Sequence, residues 1–231
     1  MRPVLMVTLL ALGCASRSAA PPPVGSVTPA PTQTSVPAER VDPSAETVAE
    51  AETDEYTRYE LLAPETAQFH ILYEVTAISP GATVFFNPIR KGSEASGERV
   101  TDRMTGEPLR FEVVSGKEAR ESGLPRADLD TDYIRIHLPR PVPLDGGQVR
   151  LLIEKTYKDS KSYFREGDMV VFSRSLGIKR NSVVLPAGYE VVSCNVPSQV
   201  LSEPDGRIKI AFWNAGPDPA TLKVVARKLL P

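Results

Sequence analysis

From Tyr56 onward the apolar residues return at every second position, and that period commits the chain to extended strands with one dry and one wet face. Phe69, Ile71, Tyr73 and Val75 fall on one side of a run whose other side carries His70, Glu74 and Thr76. Leu109, Phe111 and Val113 alternate with Arg110 and Glu112, and Ile134, Ile136 and Leu138 alternate with Arg135 and His137. The same holds for Ile208, Ile210 and Phe212 against Arg207 and Lys209, and for Leu222, Val224 and Ala226 against Lys223 and Arg227. Ser79-Pro80-Gly81, Asp145-Gly146-Gly147, Gly167-Asp168 and Asp205-Gly206 supply turns between the runs, because these residues tolerate the backbone angles that reverse a chain. Lys117 to Ser122 is the one helix-like stretch and is too short for more than a turn. The expected fold class is therefore all-β, a two-sheet antiparallel β-sandwich over residues 56–231, with a closed barrel as the alternative.

The preceding segment has a different composition. Between Ala15 and Glu55 stand seven prolines and no Phe, Trp or Tyr, so the segment lacks the apolar area needed to offset its conformational entropy. Residues 14–55 are expected to be a disordered, Pro-rich, acidic linker, with at most a marginal helix over Ser44 to Asp54. Residues 15–55 carry a net charge of −5, which leaves +2 for the remainder from Tyr56. A folded part so close to neutral, without a basic stripe, is not expected to bind nucleic acid.

The first residues carry an address. Arg2, the apolar run Val4 to Leu12 and Gly13-Cys14 make a secretory signal, since nine apolar residues are far too few to span a bilayer. The segment Leu10-Ala11-Leu12-Gly13-Cys14 resembles the lipobox of a bacterial lipoprotein signal. That resemblance implies removal of residues 1–13, a lipidated Cys14 and, with Ala15 rather than Asp next to it, sorting to the outer membrane. An ordinary cleaved signal ending near Ala15 or Ala19-Ala20 is the alternative, and it would give a secreted or periplasmic protein. The first partner expected is the lipid bilayer, held through the acyl chains.

Chemistry is sparse in the rest. Cys194 has no partner once Cys14 is acylated, and its strand parity with Val192 and Val196 reads as a small buried hydrophobe. The only histidines, His70 and His137, lie on polar strand faces, and there is no zinc-protease motif, no nucleophile elbow and no P-loop. Asp128, Asp130 and Asp132 have the spacing of a calcium loop, but Tyr133 and Pro139 stand where such a loop needs Gly and Glu. No metal, no cofactor and no catalytic residue is assigned. Tyr163-Phe164-Arg165, before a turn, and Trp213, ending a strand, have the composition of a recognition patch, so Tyr163, Phe164, Arg165 and Trp213 form the candidate binding surface. The segment Arg174 to Asn181 reads as a positively charged connection without strand pattern.

The order of elements carries one further likeness. The strand with Tyr73-Glu74-Val75, the turn before Pro108-Leu109, the Pro-rich connection Leu138 to Leu144 and the strand Val149 to Tyr157 are together similar to the N-terminal β-sandwich of M1-type aminopeptidases, over Phe69 to Arg174. The resemblance implies a fold and no activity, because that family's H-E-x-x-H and G-A-M-E-N motifs are absent. The expectation is a lipid-anchored, non-catalytic binding or assembly module with an envelope protein as partner. The alternative is a cell-envelope glycan or peptide hydrolase whose site gathers Asp128, Asp130, Asp132, His137 and Glu190 from distant loops. Replacement of Cys14 by Ser is expected to abolish palmitate labelling and to release the protein from the membrane fraction. Retention of both would dismiss the anchor.

Overall fold

A computed structural model describes residues 54–229; the signal segment, Cys14, the linker up to residue 53 and the Ser44 to Asp54 helix apart from its last residue lie outside the described residues. The elements run β1 (Tyr56–Leu61), β2 (Gln68–Ala77), β3 (Val84–Pro88), β4 (Glu94–Asp102), β5 (Phe111–Val114), α1 (Gly116–Glu121), β6 (Tyr133–His137), β7 (Val149–Lys158) and β8 (Tyr163–Glu166). They continue with β9 (Met169–Leu176), β10 (Arg180–Val184), β11 (Tyr189–Cys194), β12 (Gln199–Ser202), β13 (Ile208–Trp213) and β14 (Ala220–Lys228). The all-β expectation holds, and all but one of the strand pairs are antiparallel; β1 and β10 run parallel.

Seven strands form one sheet in the order β12-β13-β10-β1-β2-β7-β4, beside a four-stranded sheet β11-β14-β9-β8 and a three-stranded sheet β3-β6-β5. Both small sheets pack on the same face of the large one. Phe69, Ile71 and Tyr157 of that face join Val170, Phe172, Leu222 and Val224 of the four-stranded sheet, while Val75, Leu151 and Ile153 join Ile134 and Ile136 of the three-stranded sheet. The molecule is thus a sandwich whose second layer is divided in two. The first core is aromatic, with Phe69 meeting Phe172 edge-on at 5.3 Å and Tyr157 at 6.1 Å between ring centres.

Alternation fails locally for identifiable reasons. The three-stranded sheet is covered on both faces, since Val114, Tyr133 and Phe86 turn away from the large sheet to pack on Ala119 of α1. Val113, assigned inward by alternation, is exposed. Helix α1 is fixed by a capping box between Ser115 and Glu118 and lies so close to the 128–129 backbone that a Cβ on Gly116 would stand 2.0 Å from the Asp128 carbonyl oxygen. In β11 a bulge between Val191 and Ser193 shifts the parity, so that Cys194 packs half-buried with Val191 and Val196 while Val192 faces solvent. The segment 174–181 is not a plain connection: it holds the end of β9 and the start of β10, and Arg174 is buried. The β8–β9 hairpin does turn at Gly167-Asp168, with Gly167 at a φ of 62° in the position that a two-residue turn of type II′ reserves for glycine.

Where the two cores meet, the large sheet points a lysine inward. Lys155, opposite Ile71 and only 4% exposed, places its ammonium 2.5 Å from Asn87 Oδ1 and 5.1 Å from the centre of the Tyr157 ring. Burial, reinforced by the Arg174 charge and opposed by Glu98, pushes its pKa from 10.5 down to about 8. Between those two values the unfolded chain holds a proton that the folded chain has released, so stability rises with pH, by up to about 1.4 kcal/mol per pH unit from this group. Arg90, Arg174, Asp159 and the Tyr59, Tyr73 and Tyr157 hydroxyls are the other charged and titratable groups around it. Lys155→Met is expected to remove this contribution. Urea titrations of both proteins between about pH 7 and pH 10 measure it, and a parent-to-variant difference that stays constant across the series refutes it.

Candidate functional site

On the solvent face of the large sheet, three side chains stand side by side across the ladder. Tyr56 of β1 pairs with Arg180 of β10, and Arg180 pairs with Trp213 of β13. Strand alternation puts all three on the face opposite the core, because Val183 and Ile210, one parity over, point inward. In the next row the small Ala211 lies on the floor of an open groove of about 700 Å³ that Pro197 and Gln199 close on the far side. Trp213 is 60% exposed, and it is the only tryptophan in the sequence. The Tyr56 hydroxyl is 2.6 Å from Ser182 Oγ, and Arg180 reaches the Asp54 carboxylate and the Glu55 carbonyl oxygen. An aromatic, a guanidinium and a second aromatic above a small-residue floor can stack on planar groups and donate hydrogen bonds to carbonyl or carboxylate oxygens.

The groove ends at a sheet edge. Strand β12 pairs only with β13, all four of its residues are exposed, and it contains no charge, no proline and no bulge of the kind that shields edges from further pairing. Beyond it the same face is held by ion pairs. Glu203 accepts from Arg58 at 3.1 Å and from Lys209 at 2.8 Å, and both hold its carboxyl below the usual range; Glu60 lies between Arg58 at 2.6 Å and Arg207 at 3.2 Å. Such a network orders the face more than it stabilises the fold.

The residues singled out in the sequence separate. Trp213 lines the groove, whereas Tyr163 is in the core at 0% exposure, its hydroxyl donating to the Leu62 carbonyl oxygen at 2.8 Å. Tyr163 is therefore not part of a surface: it is the first residue of β8, whose pairing with Phe172 turns it into the aromatic cluster. Phe164 is half-buried and Arg165 exposed on the same strand, which belongs to the four-stranded sheet and not to the sheet of Trp213. Tyr56 and Arg180 were not legible as site residues, because Arg180 meets Trp213 through an antiparallel pairing of β10 with β13, and Tyr56 meets Arg180 through a parallel one, that no local pattern announces. The carboxylates and imidazoles do not gather either. Glu112 takes Arg135 at 2.5 Å and His137 at 2.9 Å, Asp128 takes Lys91 at 2.9 Å, and Glu190 takes Arg227 at 2.6 Å. Among the described residues, no group of three or more His, Cys, Asp or Glu side chains is arranged to hold a metal ion.

No family model and no curated protein matches the chain. Among solved structures it is similar to an M1 zinc metallopeptidase from Deinococcus radiodurans, with a TM-score of 0.46 and 12% identity over 75% of this chain and 41% of that one. A second is an aminopeptidase N family protein from Idiomarina loihiensis, with a TM-score of 0.44 and 8% identity over 74% of this chain and 29% of that one. The chain spans less than half the length of either structure.

The burial contrast has a measurable consequence. Tyr163→Ala is expected to destabilise the fold by about 3–5 kcal/mol, as removal of a fully buried ring does, and Trp213→Ala to change it by no more than about 0.5–1 kcal/mol. Denaturant titration of the two variants tests this, and comparable losses from both would contradict it.

Proposed function

We propose that the protein is a lipid-anchored, extracytoplasmic lipoprotein of the outer membrane that binds an envelope protein partner and carries out no chemistry itself. The observation that supports this most directly is the Tyr56–Arg180–Trp213 row above a groove that opens onto the unshielded edge of β12. An extended segment of the partner adds to β12 through main-chain hydrogen bonds, and its side chains meet Trp213 and the groove floor. Val200 and Leu201, both exposed, are further apolar positions on that edge. A large aromatic and an arginine are the residue types that carry most binding energy when a partner excludes water from them. The Pro-rich acidic linker expected before residue 56 would give the domain reach from its anchor.

A photo-crosslinking residue placed at position 213 or 201 of the full-length protein, in the membrane of the producing cell, tests the proposal. Both positions are expected to trap the same protein, the yield at 201 to fall several-fold when Trp213→Ala is added, and a probe at position 190 to trap nothing. Products of equal yield at 190, no product at 213 and 201, or turnover of envelope glycan or peptide by the purified protein would overturn it.

A further inference from the structure

The seam between the two small sheets holds an open cavity of about 140 Å³ on the inner face of the large sheet, across the sheet from the groove of the outer face. Its polar lining is cationic. Lys155 and Arg174 are 4% and 6% exposed, and Arg90 contributes a third positive charge at the solvent side, where it and Pro88 are exposed. The nearby acid is already committed. Asp159 Oδ2 accepts from Ser93 Oγ, Ser162 Oγ and Arg174 Nη1, and Oδ1 accepts from the backbone amides of Lys161 and Ser162. Glu98, half-buried in the bulge of β4 opposite Lys155, is the other acid that acts on this lysine. Arg174 stacks over Phe69 and Tyr157, at 5.3 and 5.4 Å from the ring centres, and its Nε has no hydrogen-bond partner.

Two buried cations that repel each other are unfavourable for folding alone. They are the complement of an anion. The remaining walls set its character, for Ile71, Ile178 and the Tyr59, Tyr73 and Tyr157 rings are apolar surfaces that a fully hydrated ion would leave uncovered. The space holds several waters, or one organic acid of about five to eight non-hydrogen atoms.

We propose that this cavity is a binding site for a small organic carboxylate, with Lys155 and Arg174 holding the carboxylate oxygens and Ile71, Ile178 and the tyrosine rings covering the apolar remainder. The Lys155 ammonium and the Arg174 guanidinium are charge-assisted donors of the kind that a carboxylate accepts from. Asn87, 2.5 Å from the Lys155 ammonium, orients that group toward the cavity. Binding favours protonated Lys155, whose pKa burial lowers to about 8, so affinity falls as pH rises above that value.

Calorimetric titration of the full-length protein with sodium isobutyrate at constant ionic strength tests the assignment. Near pH 7 a saturable site with a Kd below about 10 mM is expected, with a matching rise in the thermal midpoint. Isobutyramide, neutral and of the same shape, is expected to give neither. At about pH 9 only about a tenth of Lys155 is protonated, and affinity is expected to fall about tenfold. Lys155→Met weakens binding at least tenfold. Ile178→Trp fills the cavity from its rim without altering either cation, and it is expected to abolish binding in a protein with unchanged circular dichroism. The proposal is overturned if no saturable site is found, if isobutyramide or inorganic phosphate binds as well as isobutyrate, or if isobutyrate binds the Ile178→Trp protein undiminished.

Discussion

The ten-rung pairing of β2 with β7 is the constraint on which the rest of the domain depends. From Phe69 opposite Tyr157 to Ala77 opposite Val149, it lines up an unbroken inward row long enough to seat two separate sheets. The Phe69 end belongs to the aromatic core shared with the four-stranded sheet, and the Val75 end to the aliphatic core shared with the three-stranded sheet. Among the described residues, only Tyr73 and Ile89 pack against both cores. Loss of register in this one pair would invert both cores at once, because a single-residue slip moves every inward side chain to the solvent face.

Twist explains why the second layer is divided. Adjacent strands rotate by about 20–25° relative to one another, so a sheet of seven strands turns through far more than the angle over which one partner sheet stays aligned. Two small sheets, each aligned with its own end, cover the face where a single large one would lift away. The seam that remains between them is lined by Lys155, Arg174 and tyrosine rings. Long side chains that carry their charge at the tip suit such a place: the Lys155 ammonium lies over the Tyr157 ring and the Arg174 guanidinium over the Phe69 ring.

The alternation read from the sequence located β2, β13 and β14, each with one face against a core, and the inward parity of Ile134 and Ile136 in β6. It gave the wrong exposure for Val113, which pairs with Ile134 on the edge strand β5 yet is open to solvent, and the wrong parity for Cys194, where a bulge resets the count. The seam cluster was not legible at all. Lys155 lies in a run where it reads as an outward charge, yet its strand parity is that of Ile153 and Tyr157, and only the gap between the small sheets makes that position tolerable. Arg174 was hidden in the same way inside a stretch whose charges suggested a surface connection. The groove was half legible: Trp213 stood out as an aromatic ending a strand, but its neighbours come from β10 and β1, far away in sequence.

Strand β1 joins these features. Successive residues at its start serve opposite faces, Tyr56 beside the outer groove and Thr57 and Tyr59 on the cavity side. The chain enters it at a clamp: the Asp54 carboxylate takes Arg180 and, at 3.0 Å, Arg150, and its carbonyl oxygen accepts from the Thr76 hydroxyl. Arg180 is thus both the middle of the exposed row and a hold on the entering segment. Because β1 lies inside the sheet, hydrogen-bonded to β10 on one side and β2 on the other, displacement of its first residues would disturb the Tyr56 row and the cavity wall together. The two faces therefore share one rigid element, and the point where the preceding segment meets the domain is fixed beside the groove.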